Sequence, residues 1–125
     1  MIKVNTINRT RKNIDLLGIT KTSKARIAQL LPNKNIYMEI IFAGNLYLKK
    51  INLKYRQKNM STNVLSFPQW RDKKSIPSFS LINLGSIVVN ASMIENKILS
   101  HQEKLKQYNY LIEHSIDHLL GKHHK

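Results

Sequence analysis

His114 and His118 stand four residues apart in the run LIEHSIDHLLGKHHK that begins at Leu111. On an α-helix, residues four apart lie about 40° apart around the axis and one turn along it, so two imidazoles can converge on one ion. Gly121 follows three residues later. A glycine there suits the left-handed conformation that ends a helix and turns the chain back. Such a reversal brings His123 or His124 toward the first pair. Three imidazoles leave one position of a tetrahedral Zn2+ open to water, the arrangement of a catalytic rather than a structural site. Zinc lowers the pKa of its water to about 7 and polarises phosphoryl oxygens, so the chemistry to expect is hydrolytic. His101 is isolated and reads as a surface residue.

The helix carrying the histidines must be held by its other side. Tyr108, Ile112, Ile116 and Leu119 form an apolar stripe, which predicts a core face with the histidines at its edge. Upstream, 2–8 alternates as a short strand. Residues 22–31 read as a helix with Thr22 or Ser23 as cap and Pro32 as stop. Residues 35–43 read as a buried strand with Glu39 its single charge, and 45–57 as an amphipathic helix. A strand over 62–67 ends at Pro68, a long loop spans 69–83, and a further strand covers 84–90. Two helices, 91–103 and 105–120, complete the chain. The order β-α-β-α-β-β-α-α predicts one α+β domain over 1–125, with helices covering a mixed sheet of about four strands.

Composition narrows the chemistry. The 125 residues include no cysteine, which excludes disulfide-linked partners and thiolate metal sites. Lys and Arg number 21 against 7 Asp and Glu, a net charge of +14. That excess favours polyanions, nucleic acid first. Lys, Asn and Ile are all abundant, and AT-rich coding yields the same pattern. The N-terminal MIKVNTINRTRK lacks an apolar segment of signal-peptide length, and no apolar run approaches the ~20 residues of a membrane span. The expected location is therefore the cytoplasm, with no membrane partner. The 69–83 loop interleaves Trp70 and Phe79 with Arg71, Lys73 and Lys74. It either stacks unpaired bases or tucks its aromatics into the core.

The histidine run resembles the motif His-Gly-x-x-His-Leu-x-Gly-x-Asp-His of the YbeY family of bacterial rRNA-maturation endoribonucleases, with His114, His118, Leu119, Gly121 and His124 in register. Tyr55-Arg56 and Thr62-Asn63-Val64-Leu65-Ser66-Phe67-Pro68 resemble two further family segments, and Leu84-Gly85-Ser86-Ile87-Val88 a third. The resemblance implies a zinc-dependent, single-strand-specific endoribonuclease acting in 16S rRNA 3′ end maturation and ribosome quality control, with rRNA and the small subunit as partners. It implies one Zn2+ per chain on His114, His118 and His124, with Arg56 as the catalytic arginine near the metal. Lys54, Lys58, Arg71, Lys73 and Lys74 are then expected to track RNA, helped by Lys49 and Lys50.

Four positions depart from the family pattern. Ser115 replaces a glycine, Ser86 and His123 replace aspartates, and Asp117 stands where the family is usually apolar. Carboxylates that hydrogen-bond metal-bound histidines orient them. Positions 86 and 123 are therefore expected to have lost such partners, and Asp117 either compensates or faces water. Two rivals follow. A zinc peptidase of the HExxH type needs a glutamate after the first histidine, where this chain has Ser115. A non-catalytic ribosome-assembly factor would keep the fold and the basic surface.

Overall fold

The computed structural model describes residues 1–78 and 80–121. Its elements run β1 (Ile2–Asn8), α1 (Leu16–Leu30), β2 (Ile36–Ala43), α2 (Asn45–Arg56), β3 (Val64–Pro68), β4 (Ile82–Asn90), α3 (Ser92–Glu95) and α4 (His101–Leu119), with a 3-10 turn at Lys73–Ser75. The sheet order is β1-β2-β4-β3. β1, β2 and β4 are parallel neighbours, and β3 pairs antiparallel with β4 at one edge. Parallel neighbours need a crossover, which α1 supplies between β1 and β2. This is the expected α+β fold with a mixed four-stranded sheet. Among the described residues, no helix is long and apolar enough to cross a membrane.

Strand alternation divides the core. Met38, Ile40 and Phe42 of β2 join Ile87 and Val89 of β4 under α1 and α4. Ala43, Leu65 and Val88 point to the other face and pack with Leu48 of α2. The α4 stripe is buried as expected, with Tyr108, Ile112, Ile116 and Leu119 each at most 2% exposed. Tyr108 meets Phe42 edge to face, and its hydroxyl donates to Glu95. Burial first, then the Glu95 carboxylate, pushes that phenol far above its ordinary range, so it stays a donor.

Several boundaries differ from the sequence expectation, among them that of β3, which begins at Val64 and includes Pro68. Helix α1 begins at Leu16, because Asp15 caps it by accepting from the Gly18 N–H at 2.9 Å. Ser23 is no cap; it lies buried inside the helix and bonds the Ile19 carbonyl. The expected helix 91–103 is reduced to the single turn Ser92–Glu95. The break falls before Ser100 and Glu103, which form a reciprocal capping box and start α4 at His101. Strand β4 starts two residues early, at Ile82, and carries a register shift opposite Tyr37–Glu39. Gly85 sits in that bulge at φ +119, where a Cβ would come within 2.2 Å of the Phe67 carbonyl oxygen.

Candidate metal centre

Helix α4 presents Tyr110, His114 and His118 on successive turns beside its buried stripe. The two imidazole centres are 4.5 Å apart with planes inclined at 56°. Two rings on one tetrahedral ion, at metal–nitrogen lengths of about 2.0–2.1 Å, have centres roughly 5 Å apart. The ring spacing is close to that of two imidazoles on one ion, and both residues are half-buried. Tyr110 lies nearly parallel to His114, with ring centres 6.3 Å apart. Ser115, between the histidines, is 1% exposed and donates its hydroxyl to the Leu111 carbonyl at 2.8 Å. The serine is thus accommodated on the packed side by satisfying its own polar group.

Asp117 neither faces water nor turns to the histidines. Arg26 of α1 donates to both of its carboxylate oxygens, at 2.8 and 2.9 Å, with Nε adding a third hydrogen bond at 3.1 Å. This two-pronged pair lines a cleft of about 710 Å³ between α1 and α4, together with Asn109, Tyr110, Glu113 and His114. Sequence reasoning missed Arg26, which lies 91 residues from its partner and carries no local signal. Tyr110 was findable, since it stands four residues before His114. Glu113 lines the same cleft as His114 and is half-buried, a second carboxylate near the pair.

His123 and His124 lie outside the described residues, as does Phe79. Among the described residues, no three His, Asp, Glu or Cys side chains gather as a metal-holding group. The glycine that should end the helix does so: Gly121 has φ +84 and its N–H bonds the His118 carbonyl at 3.0 Å. The 69–76 segment packs against this turn. The Lys73 N–H donates to the Leu120 carbonyl, and a Cβ on Gly121 would lie 2.7 Å from that of Asp72. The Ser75 hydroxyl and N–H hold the Asp72 carboxyl below its ordinary range and fix the 3-10 turn. Exposed Arg71, Lys73 and Lys74 are thereby placed at the carboxyl end of the histidine helix. Trp70 tucks against the core and donates from Nε1 to the Asn83 carbonyl, so of the two expectations for its ring the structure takes the second.

Arg56, Lys54 and Lys58 belong to α2 and its exit, on the opposite face of the sheet from α4. Arg56 donates from Nη2 to the Ser66 carbonyl at 2.8 Å and stands over the Phe67 ring. These interactions put it on β3, the edge strand that α4 packs against from the other side. Ser86 pairs with Glu39 and Phe67 and faces α2. The expectation that position 86 had lost a partner for the histidines is therefore corrected: the sheet lies between them.

A family model described as "Endoribonuclease YbeY" matches residues 5–125. The chain belongs to the endoribonuclease YbeY family. Among curated members named endoribonuclease YbeY, that of Thermodesulfovibrio yellowstonii is 30% identical over 95% of this chain and 73% of its own length. That of a Sulfurovum species is 33% identical over 94% of this chain and 76% of its own. The Mycoplasmopsis pulmonis member is 34% identical, and this chain spans 62% of its length. A solution structure from Thermotoga maritima shares the fold, with a TM-score of 0.56 at 17% identity over 98% of this chain and 75% of that one. The YbeY match extends across both ends of the histidine run.

Proposed function

We propose that this chain is a metal-dependent endoribonuclease that cuts single-stranded RNA, with rRNA as its substrate. The finer reading is maturation of the 16S rRNA 3′ end and ribosome quality control at the small subunit, in the cytoplasm. The observation that supports it is the pairing of His114 and His118 on α4, with ring centres 4.5 Å apart. His124 completes the proposed ligand set for one Zn2+ per chain. Zinc held there supplies hydroxide near neutral pH and polarises a phosphoryl oxygen. The chain itself supplies the rest. Arg71, Lys73 and Lys74 offer charge to the RNA backbone beside the histidine turn. Arg56 is the arginine that the family motif assigns to the charge that builds on phosphorus oxygens; bonded to the Ser66 carbonyl on the edge strand β3, it would meet the RNA at that edge, between the two faces of the sheet.

Metal analysis of protein purified without a histidine tag should find about one zinc per chain, on the four-coordinate logic of three ligands and one water. His118→Ala should lose the metal and RNA cleavage together. Stoichiometric zinc in that variant would refute the ligand assignment. A second reading, a non-catalytic rRNA-binding assembly factor, is favoured by one feature: Asp117 is consumed by Arg26 and is unavailable as a base. A zinc-loaded chain that binds rRNA, cuts nothing and is indifferent to His114→Ala would establish that reading. Cleavage of casein but not of RNA would exclude both.

A further inference from the structure

Away from the histidines, three aromatic rings lining one cleft each carry a cation. The cleft lies between α2 and the sheet face opposite α4, and holds about 320 Å³. Tyr47, Tyr55 and Phe67 form its walls, with Ile41, Val88 and Ser86 beneath. The Arg9 guanidinium stands 4.2 Å from the Tyr47 ring centre, the Lys54 ammonium 5.2 Å from Tyr55, and the Arg56 guanidinium 5.9 Å from Phe67. Tyr55 and Phe67 meet edge to face at 5.4 Å, yet Tyr55 is 60% exposed.

We propose that this cleft takes two unpaired bases of single-stranded RNA, one stacked on Tyr47 and one on Tyr55, with the flanking phosphates on Arg9 and Lys54. The proposal deepens the endoribonuclease reading and rests on it for RNA as the substrate. Flat π-faces interleaved with cations suit a strand whose bases are free to stack and whose backbone is anionic. A duplex offers the phosphates but keeps its bases stacked on one another. An acidic peptide matches the charge but brings no flat rings to the apolar walls. Ser86 adds one hydroxyl at the base of the cleft, and among the described residues no carboxylate lines it to oppose an incoming phosphate. Glu39, the acidic group on the adjacent strand position, is engaged by Asn5.

Substrate length follows from this placement. The cleft and the histidine pair lie on opposite faces of the sheet, and β3 is the edge between them. A strand bound at both places passes around that edge, so the held bases lie several nucleotides from the scissile bond. Oligonucleotides too short to span the edge should be bound weakly.

The test is fluorescence anisotropy with a labelled single-stranded RNA of about 12 nucleotides, within the span of such grooves, measured in chelator on the full chain so that cleavage does not intervene. Tyr47→Leu and Tyr55→Leu should each raise Kd by roughly 10-fold, the worth of one base–aromatic stack. The corresponding phenylalanine variants should bind as the parent does, and duplex RNA should not distinguish any of them. Unchanged affinity in both leucine variants overturns the proposal, and so does an equal loss on duplex RNA. If the leucine variants unfold, Arg9→Gln decides: weaker single-strand binding supports the cleft, and parental binding overturns it. Loss of acidic-peptide binding or self-association in the leucine variants, with RNA affinity intact, would assign the cleft to another occupant and also overturn it. A chain that binds through these rings but cuts nothing keeps the cleft and loses the nuclease reading; one that cuts but ignores the rings does the reverse.

Discussion

Arg56 and Arg26 show how differently two arginines can be used. Arg56 gives one N–H to the Ser66 carbonyl and retains further donors of its planar fork at the edge of the sheet. Arg56→Ala should therefore keep the metal but slow RNA cleavage by ~100-fold, as loss of a donor to transition-state charge does. Unchanged single-turnover rates would remove it from the reaction. Arg26 spends its fork on Asp117, in a pair whose side chains are 24% and 13% exposed. Its removal strands a carboxylate beside His118. Arg26→Ala should cost on the order of 2–3 kcal/mol, less than a fully buried pair because solvent reaches the guanidinium. Urea denaturation reads this directly, and a loss below about 0.5 kcal/mol would mean that water replaces the arginine without penalty.

Helix α4 depends on its first turn as well as its buried stripe. Ser100 accepts from the Glu103 N–H and Glu103 reaches back to the Ser100 N–H, both at 3.1 Å. Ser100→Ala should destabilise the fold by about 1 kcal/mol, the usual worth of a cap. The Glu103 carboxyl is held below its ordinary range, first by the Ser100 N–H and then by the Ser100 hydroxyl. A depressed pKa means the contribution is present above the ordinary carboxylate range and fades as pH falls through the lowered value. The stability gap between parent and Ser100→Ala should accordingly shrink on acidification; a constant gap would leave Glu103 without a part in the cap. The same box is legible in the sequence as Ser-x-x-Glu before an apolar periodicity. What hides it is the segment upstream, where Ile94, Ile98 and Leu99 imitate the period of a continuing helix.

At the scale of the molecule, a net charge of +14 favours an RNA partner, and the number of phosphates neutralised sets the salt dependence of its binding. For single strands, log K falls against log salt with a slope of about −0.7 per phosphate neutralised. Lys73→Gln with Lys74→Gln should flatten that slope by roughly 0.7 for each phosphate left without its lysine, and leave the metal in place. A slope equal to that of the parent would show that the loop at the end of α4 stays clear of the RNA. Gly121 and Gly85 matter at this scale too, because each allows two distant segments to meet. Gly121 admits the loop at Asp72, and Gly85 admits the Phe67 carbonyl of the edge strand.

The residues alone determined the helix–strand order, the buried stripe of α4, the i, i+4 histidine pair and the turn at Gly121. Each is written in a local period or in one backbone preference, and local physics does not need the rest of the chain. Tertiary structure alone decided that Asp117 belongs to Arg26, that Ser86 faces away from the histidines, and that Tyr47, Tyr55 and Phe67 share a cleft, with Arg9 over the Tyr47 ring. Those facts depend on which strands are neighbours and which sheet face each helix covers. Pairing across the sheet joins residues dozens of positions apart, and no spacing within the sequence encodes it.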